Sequence, residues 1–97
     1  MTKMFILDFL AQHKNVFYQK YGVTKIGLFG SYAREDFKDG SDIDIAIEMQ
    51  NEKKSLNTFF SLKRELEEAF KVKVDLGIES SLKAIAKEKI MKEIVYV

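Results

Sequence analysis

The segment Asp42 to Met49 constrains this chain more than any other. Ile43, Ile45, Ile47 and Met49 alternate with Asp42, Asp44, Ala46 and Glu48, a strict period of two. That period is a strand with one apolar and one polar face. The register is pinned, because a one-residue slip would bury both aspartates and expose the isoleucines. Residues two apart on a strand point to the same side and lie about 6.6 Å apart. Asp42 and Asp44 therefore share a face on a rigid element, and their carboxylates can lean together.

The rest of the chain supplies elements to cover the apolar face. Thr2 to Tyr21 reads as an amphipathic helix with Phe5, Phe9, Leu10, Val16 and Phe17 near one side, Thr2 as its cap and Gly22 as its stop. Val23 to Phe29 reads as a strand. Gly30 to Phe37 reads as a turn with room for one helical turn, and Lys38-Asp39-Gly40-Ser41 as a loop. Ser55 can cap a helix to about Phe70, with Leu56, Phe59, Leu62, Leu66 and Phe70 as its stripe. Val72 to Leu76 alternates as a third strand. Ser80 or Ser81 then caps a helix carrying Leu82, Ile85, Ala86, Ile90 and Ile94, and Val95 to Val97 is either a frayed end or a short β segment. The order α-β-β-α-β-α predicts a small mixed sheet flanked by helices, in the α/β (α+β) class.

Length and charge bound the function. A chain of 97 residues without a linker or repeat reads as one domain, residues 1–97. The formal net charge is +1, so no basic excess favours nucleic acid as a partner, although a small-molecule site needs only local charge. Cysteine is absent, which excludes disulfides and thiolate metal sites and suggests a reducing, cytoplasmic setting. Asp8 interrupts the apolar opening, and no segment is long enough to span a membrane.

Three further features join the aspartate pair. Gly30-Ser31 follows the first strand, where glycine lets the backbone approach a phosphate and Ser31 adds a hydroxyl. Arg34, one turn on, can reach a phosphate oxygen or a nearby acid. Asp75 lies on the polar side of the third strand and joins Asp42 and Asp44 if the two strands are neighbours. Three converging carboxylates repel unless cations neutralise them, and magnesium takes hard oxygen ligands together with substrate phosphates. Taken singly, a D-x-D is more often a solvated strand face, a Gly-Ser a mere turn and a lone aspartate a surface residue. Their combination and order point to a phosphoryl-transfer site. His13, spaced with Phe9 and Phe17, reads as a structural residue at the edge of the core. Glu65, Glu67 and Glu68 read as a solvated helix face, as do Lys83, Lys87, Lys89 and Lys92.

Gly30-Ser31, ten residues, then Asp42-Ile43-Asp44 resembles the signature of the minimal nucleotidyltransferases of the DNA polymerase beta superfamily. The resemblance extends along the whole chain. It implies that Asp42 and Asp44 bind two magnesium ions, and that Asp75 is a third metal ligand and candidate base. Gly30, Ser31 and Arg34 would hold the triphosphate of a nucleoside triphosphate, with ATP the favoured substrate. It also implies a HEPN-domain toxin as partner, with this chain as an antitoxin that transfers AMP to a hydroxyl of that protein. The alternative is an antitoxin that acts by contact alone, or a regulatory subunit that binds nucleotide without turnover. The chain departs from the family pattern at Tyr32, where arginine is common, and at Glu35, where glycine is common.

Overall fold

The computed structural model describes residues 1–97. The elements run α1 (Lys3–Tyr21), β1 (Val23–Phe29), α2 (Gly30–Arg34), β2 (Ile43–Met49), α3 (Leu56–Phe70), β3 (Val74–Ile78), α4 (Ala84–Met91) and β4 (Val95–Tyr96), with single 3-10 turns at Asn51–Lys53 and Glu79–Ser81. The strands form one mixed sheet in the order β3-β2-β1-β4. β1 is antiparallel to both β2 and β4, whereas β2 and β3 are parallel, as expected for strands joined through a helix. The mixed α+β class and the order of the main elements match expectation.

The core lies between one face of the sheet and helices α1 and α3. Ile43, Ile45 and Ile47 are wholly buried there with Ile26 and Leu28 of β1, Ile6, Leu10 and Phe17 of α1, and Leu62 and Leu66 of α3. Both helices are capped as their sequences require. Thr2 Oγ1 accepts from the Phe5 amide at 3.1 Å, and Ser55 Oγ from the Thr58 amide at 3.1 Å. Gly22 closes α1 in the left-handed conformation, its N–H turned back to the carbonyls of Phe17 and Tyr18.

Several expectations are corrected. The buried stripe of α1 is Ile6, Leu10, Phe17 and Tyr21, while Phe5 and Val16 are exposed; the helix is rotated so that Phe5 reaches only the rim, edge-on to Phe70. On α3, Leu56 lies in the first turn beyond the sheet and is exposed. β3 starts at Val74 rather than Val72, because Lys71 ends α3 in the left-handed conformation and Val72 and Lys73 make the connection. The last helix starts at Ala84 with no side-chain cap; Ser80 instead donates its backbone N–H to Glu48 Oε2 at 3.0 Å. Within it Ile85 and Ala86 are exposed, and only Ile90 is buried. Val95 and Tyr96 form a true edge strand on β1.

Nor is the acidic side of α3 merely solvated. Glu65 Oε1 accepts from Lys20 Nζ at 2.9 Å and from the Tyr21 hydroxyl, tying α1 to α3. Burial alone would raise the Glu65 pKa, but these two donors outweigh it and hold the carboxyl below its ordinary range. Glu67 accepts from the Val74 amide at 3.0 Å and so guides the chain into β3. His13 does behave as an edge residue. Its ring stacks between Phe9 and Phe17, and its Nδ1 lies 2.9 Å from the Phe9 carbonyl.

Candidate active site

The other face of the sheet carries the polar residues. Cross-strand partners share a face, so the register places Phe29, Asp44 and Asp75 in one row and Gly27, Ala46 and Gly77 in the next. The second row is small and lies close beneath the C-terminal segment. A methyl group on Gly27 would meet Ile94 at 2.8 Å and Tyr96 at 2.9 Å, and one on Gly77 would touch Leu82. The chain after β3 thus returns across this face, seats Ile94 on Gly27 and adds β4 to the sheet. Its two ends are tied together. Glu79, which is buried, accepts from the Tyr96 hydroxyl at 3.0 Å and from Lys25 Nζ at 3.2 Å.

Asp44 is the centre of the site. It is half-buried, opposite Asp75 on β3, and its pKa is raised to about 6. Burial is the first cause, followed by the negative charges of Asp75 and Asp42 and a hydrogen bond with Asp75; Arg34 acts in the opposite direction. The expected carboxylate repulsion is therefore real but second to desolvation. Asp42 and Asp75 are both exposed, Asp42 just ahead of the strand. The structure brings Asp44 and Asp75 together, with Asp42 near enough to be felt as charge. No three acidic or imidazole side chains close into a ready-made cage. The donor chemistry still suits a hard divalent cation: carboxylate oxygens of neighbouring strands share one face, and a positive charge there would relieve their mutual repulsion.

Gly30 has a specific reason to be glycine. Its φ is +76°, and a methyl group there would collide with Asp44 Oδ2. The tight turn into α2 is thus what lets the Asp44 carboxylate lie against the backbone. Ser31 follows in the first turn, and its carbonyl accepts from the Asp36 amide at 3.1 Å. Arg34 pairs with two acids, Asp36 Oδ2 at 3.1 Å and Glu93 Oε2 at 2.6 Å. The two departures from the family pattern are both accommodated. Tyr32 is buried and stacks on Phe37, ring centres 4.1 Å apart, while Glu35 takes the left-handed conformation, φ +66°, that glycine would adopt freely.

A cleft of about 410 Å³ opens over Asp44, lined by Phe29, Gly30, Ser31 and Arg34 on one side and by α4 on the other. This second wall is Ala86, Lys89 and Ile90 of α4 and Glu93 in the turn just after it. Sequence reasoning missed this wall. In the sequence Lys89 reads as part of a solvated basic face, and Glu93 carries no signal. The spacing 86, 89, 90, 93 is a helical stripe, but only one of its members is a large apolar residue, so hydrophobic periodicity could not flag it.

Strand, turn and paired aspartates thus meet at one open cleft. The nucleotidyltransferase domain family matches residues 10–97, and the chain belongs to that family; it is a nucleotidyltransferase. Among curated relatives it is similar to the protein adenylyltransferase MntA of Thermococcus cleftensis, with 39% identity over 92 residues, 95% of this chain and 92% of that one. Two solved structures share the fold. One, described as a candidate minimal nucleotidyltransferase, superposes with a TM-score of 0.82 over 98% of this chain and 95% of its own, at 23% identity. The other is a chain from the complex of tri-AMPylated Shewanella oneidensis HEPN toxin with MNT antitoxin, with a TM-score of 0.71 over 98% of this chain and 71% of its own, at 20% identity.

Proposed function

We propose that this chain is a metal-dependent protein adenylyltransferase that moves AMP from ATP to a hydroxyl of a HEPN-type toxin, with pyrophosphate as the leaving group, and thereby acts as its antitoxin in the cytoplasm. The observation that carries the reading is the end-to-end similarity to MntA, together with Asp44 at the floor of a cleft walled by Gly30, Ser31 and Arg34. In this reading Asp42, Asp44 and Asp75 hold two magnesium ions. When bound, magnesium neutralises the triphosphate and the charge that develops on transfer. Gly30 and Ser31 face the phosphates with backbone N–H groups and a hydroxyl. Arg34 adds a guanidinium once it yields one of its acidic partners. Asp75, exposed on the edge strand beside Asp44, would accept the proton of an attacking hydroxyl. The cleft is open to solvent, and a 97-residue fold has little material left to build an acceptor site, so the partner supplies the acceptor.

The test is intact mass spectrometry of a HEPN-domain partner protein after incubation with the chain, magnesium and each nucleoside triphosphate in turn. The expected result is addition of AMP units from ATP alone, and none in chelator. Toxin neutralisation with no mass increment would instead establish an antitoxin that works by contact, and nucleotide binding without either effect a regulatory subunit.

A further inference from the structure

The cleft over Asp44 contains four charged side chains: Arg34 and Lys89 positive, Asp44 and Glu93 negative. Its lining charges therefore balance, and Asp42 and Asp75 add negative charge nearby, which is poor preparation for a polyphosphate carrying several negative charges. The two cations are not equivalent. Arg34 is already engaged, bonded at once to Asp36 and to Glu93. Lys89 has no carboxylate within salt-bridge distance. It is the uncommitted cation of the cleft, and without it the remaining three charges sum to one negative.

Position supports the same conclusion. Ile90, the buried residue of α4, anchors the helix against the fold, and Lys89 is its immediate neighbour. Ala86 and Lys89 of α4, with Glu93 in the turn that follows it, face Gly30, Ser31 and Arg34 across the opening. A small residue at 86 leaves space beside Lys89. A flexible ammonium suits a phosphate tail whose exact placement varies, and acts there as a point charge with three donors.

We propose that Lys89 is a triphosphate-binding residue, contacting the phosphates opposite Gly30-Ser31 and serving as the second wall of the nucleotide site. This rests on the reading of the cleft as the nucleoside triphosphate site. The ligand chemistry is specific: a di- or triphosphate gains from Lys89, whereas a nucleoside monophosphate, lacking the tail, gains little.

Titration calorimetry with magnesium and a non-hydrolysable ATP analogue, set beside AMP, tests this on the intact chain. Lys89→Ala is expected to weaken the triphosphate analogue by about tenfold, the size of one charge-assisted contact, and to change AMP binding little. Lys89→Arg, which keeps the charge, should retain most of the affinity. Lys87→Ala, on the same helix but outside the cleft, should bind as the parent does. The proposal is overturned if Lys89→Ala binds the triphosphate as tightly as the parent, or if it loses AMP and triphosphate affinity equally, which would mark a structural role for the α4 position. A parent that binds no triphosphate would remove both the cleft reading and the role of Lys89; a parent that binds it with Lys89→Ala unchanged would remove only the latter.

Discussion

The two faces of the sheet differ in kind. On the covered face, Ile43, Ile45 and Ile47 are sealed beneath α1 and α3 in one cluster of buried hydrophobic side chains. On the other, one residue along the same strand, Asp44 is half-buried beside two more carboxylates and carries a raised pKa. The first face stabilises; the second spends some of that stability to hold charge where a substrate needs it. A 97-residue chain builds both on a single seven-residue strand. Alternation lets it do so, since each substitution on β2 acts on one face only.

That separation can be broken at either face, and the sharpest effect is on activity. Asp44→Asn should lower AMP transfer at least about a hundredfold, since it removes charge placed where the transition state needs it. Its circular dichroism should match the parent. Transfer at near-parental rate would show that the polar face is not the reacting one.

Next in size is a change on the covered face. Ile45→Ala should cost about 2–5 kcal/mol in urea denaturation through a cavity that the packed helices cannot close. Activity in the fraction that remains folded should be largely kept. Loss of turnover without loss of stability would mean that the faces are not independent.

Gly30→Ala strikes the seam between turn and site. The positive φ alone costs about 1 kcal/mol or more for a residue with a side chain, and the added methyl also displaces Asp44. Paired with Asp44→Ala in a double-mutant cycle, part of that cost should vanish, because the obstructing carboxylate is gone. Strict additivity would show that Gly30 serves the backbone alone.

The electrostatic cost on the polar face is smaller and depends on pH. The folded-state pKa of Asp44 lies above its ordinary value, so the folded protein binds the proton more tightly than the unfolded chain does. Stability from this group is present below about pH 4 and is lost as pH rises through about 6. In chelator, Asp44→Asn should therefore be more stable than the parent at pH 8, on the order of 1 kcal/mol after allowing for solvent screening of a partly exposed group. The two should converge below about pH 4. Thermal melts across that range decide it, and a constant difference would assign the effect to packing. Smallest of all, Glu35→Gly should raise stability by about 0.5–1 kcal/mol by relieving a left-handed non-glycine residue.

Much of this was written locally. Alternation along β2, the caps Thr2 and Ser55, the stop at Gly22 and the stripe of α3 each depend on residues a few positions apart, and periodicity reads such patterns directly. Asp42, Asp44, Gly30, Ser31, Arg34 and Asp75 were legible as candidates because their spacing and strand context coincide. What the sequence could not express were relations between distant segments. Which side of α1 turns inward, leaving Phe5 outside, depends on how α1 meets α3. The raised pKa of Asp44 depends first on burial, which packing alone creates. Pairing of Arg34 with Glu93, 59 positions away, and the placing of Lys89 in one cleft with Asp44 follow from the return of the last helix over the open face. That return is anchored by single contacts, Ile94 on Gly27 and Tyr96 on Glu79, rather than by a repeating stripe. Chain-local patterns therefore determined the strand that carries the carboxylates, and the tertiary fold decided the cleft around them, because a wall built from two remote helices has no period in the sequence.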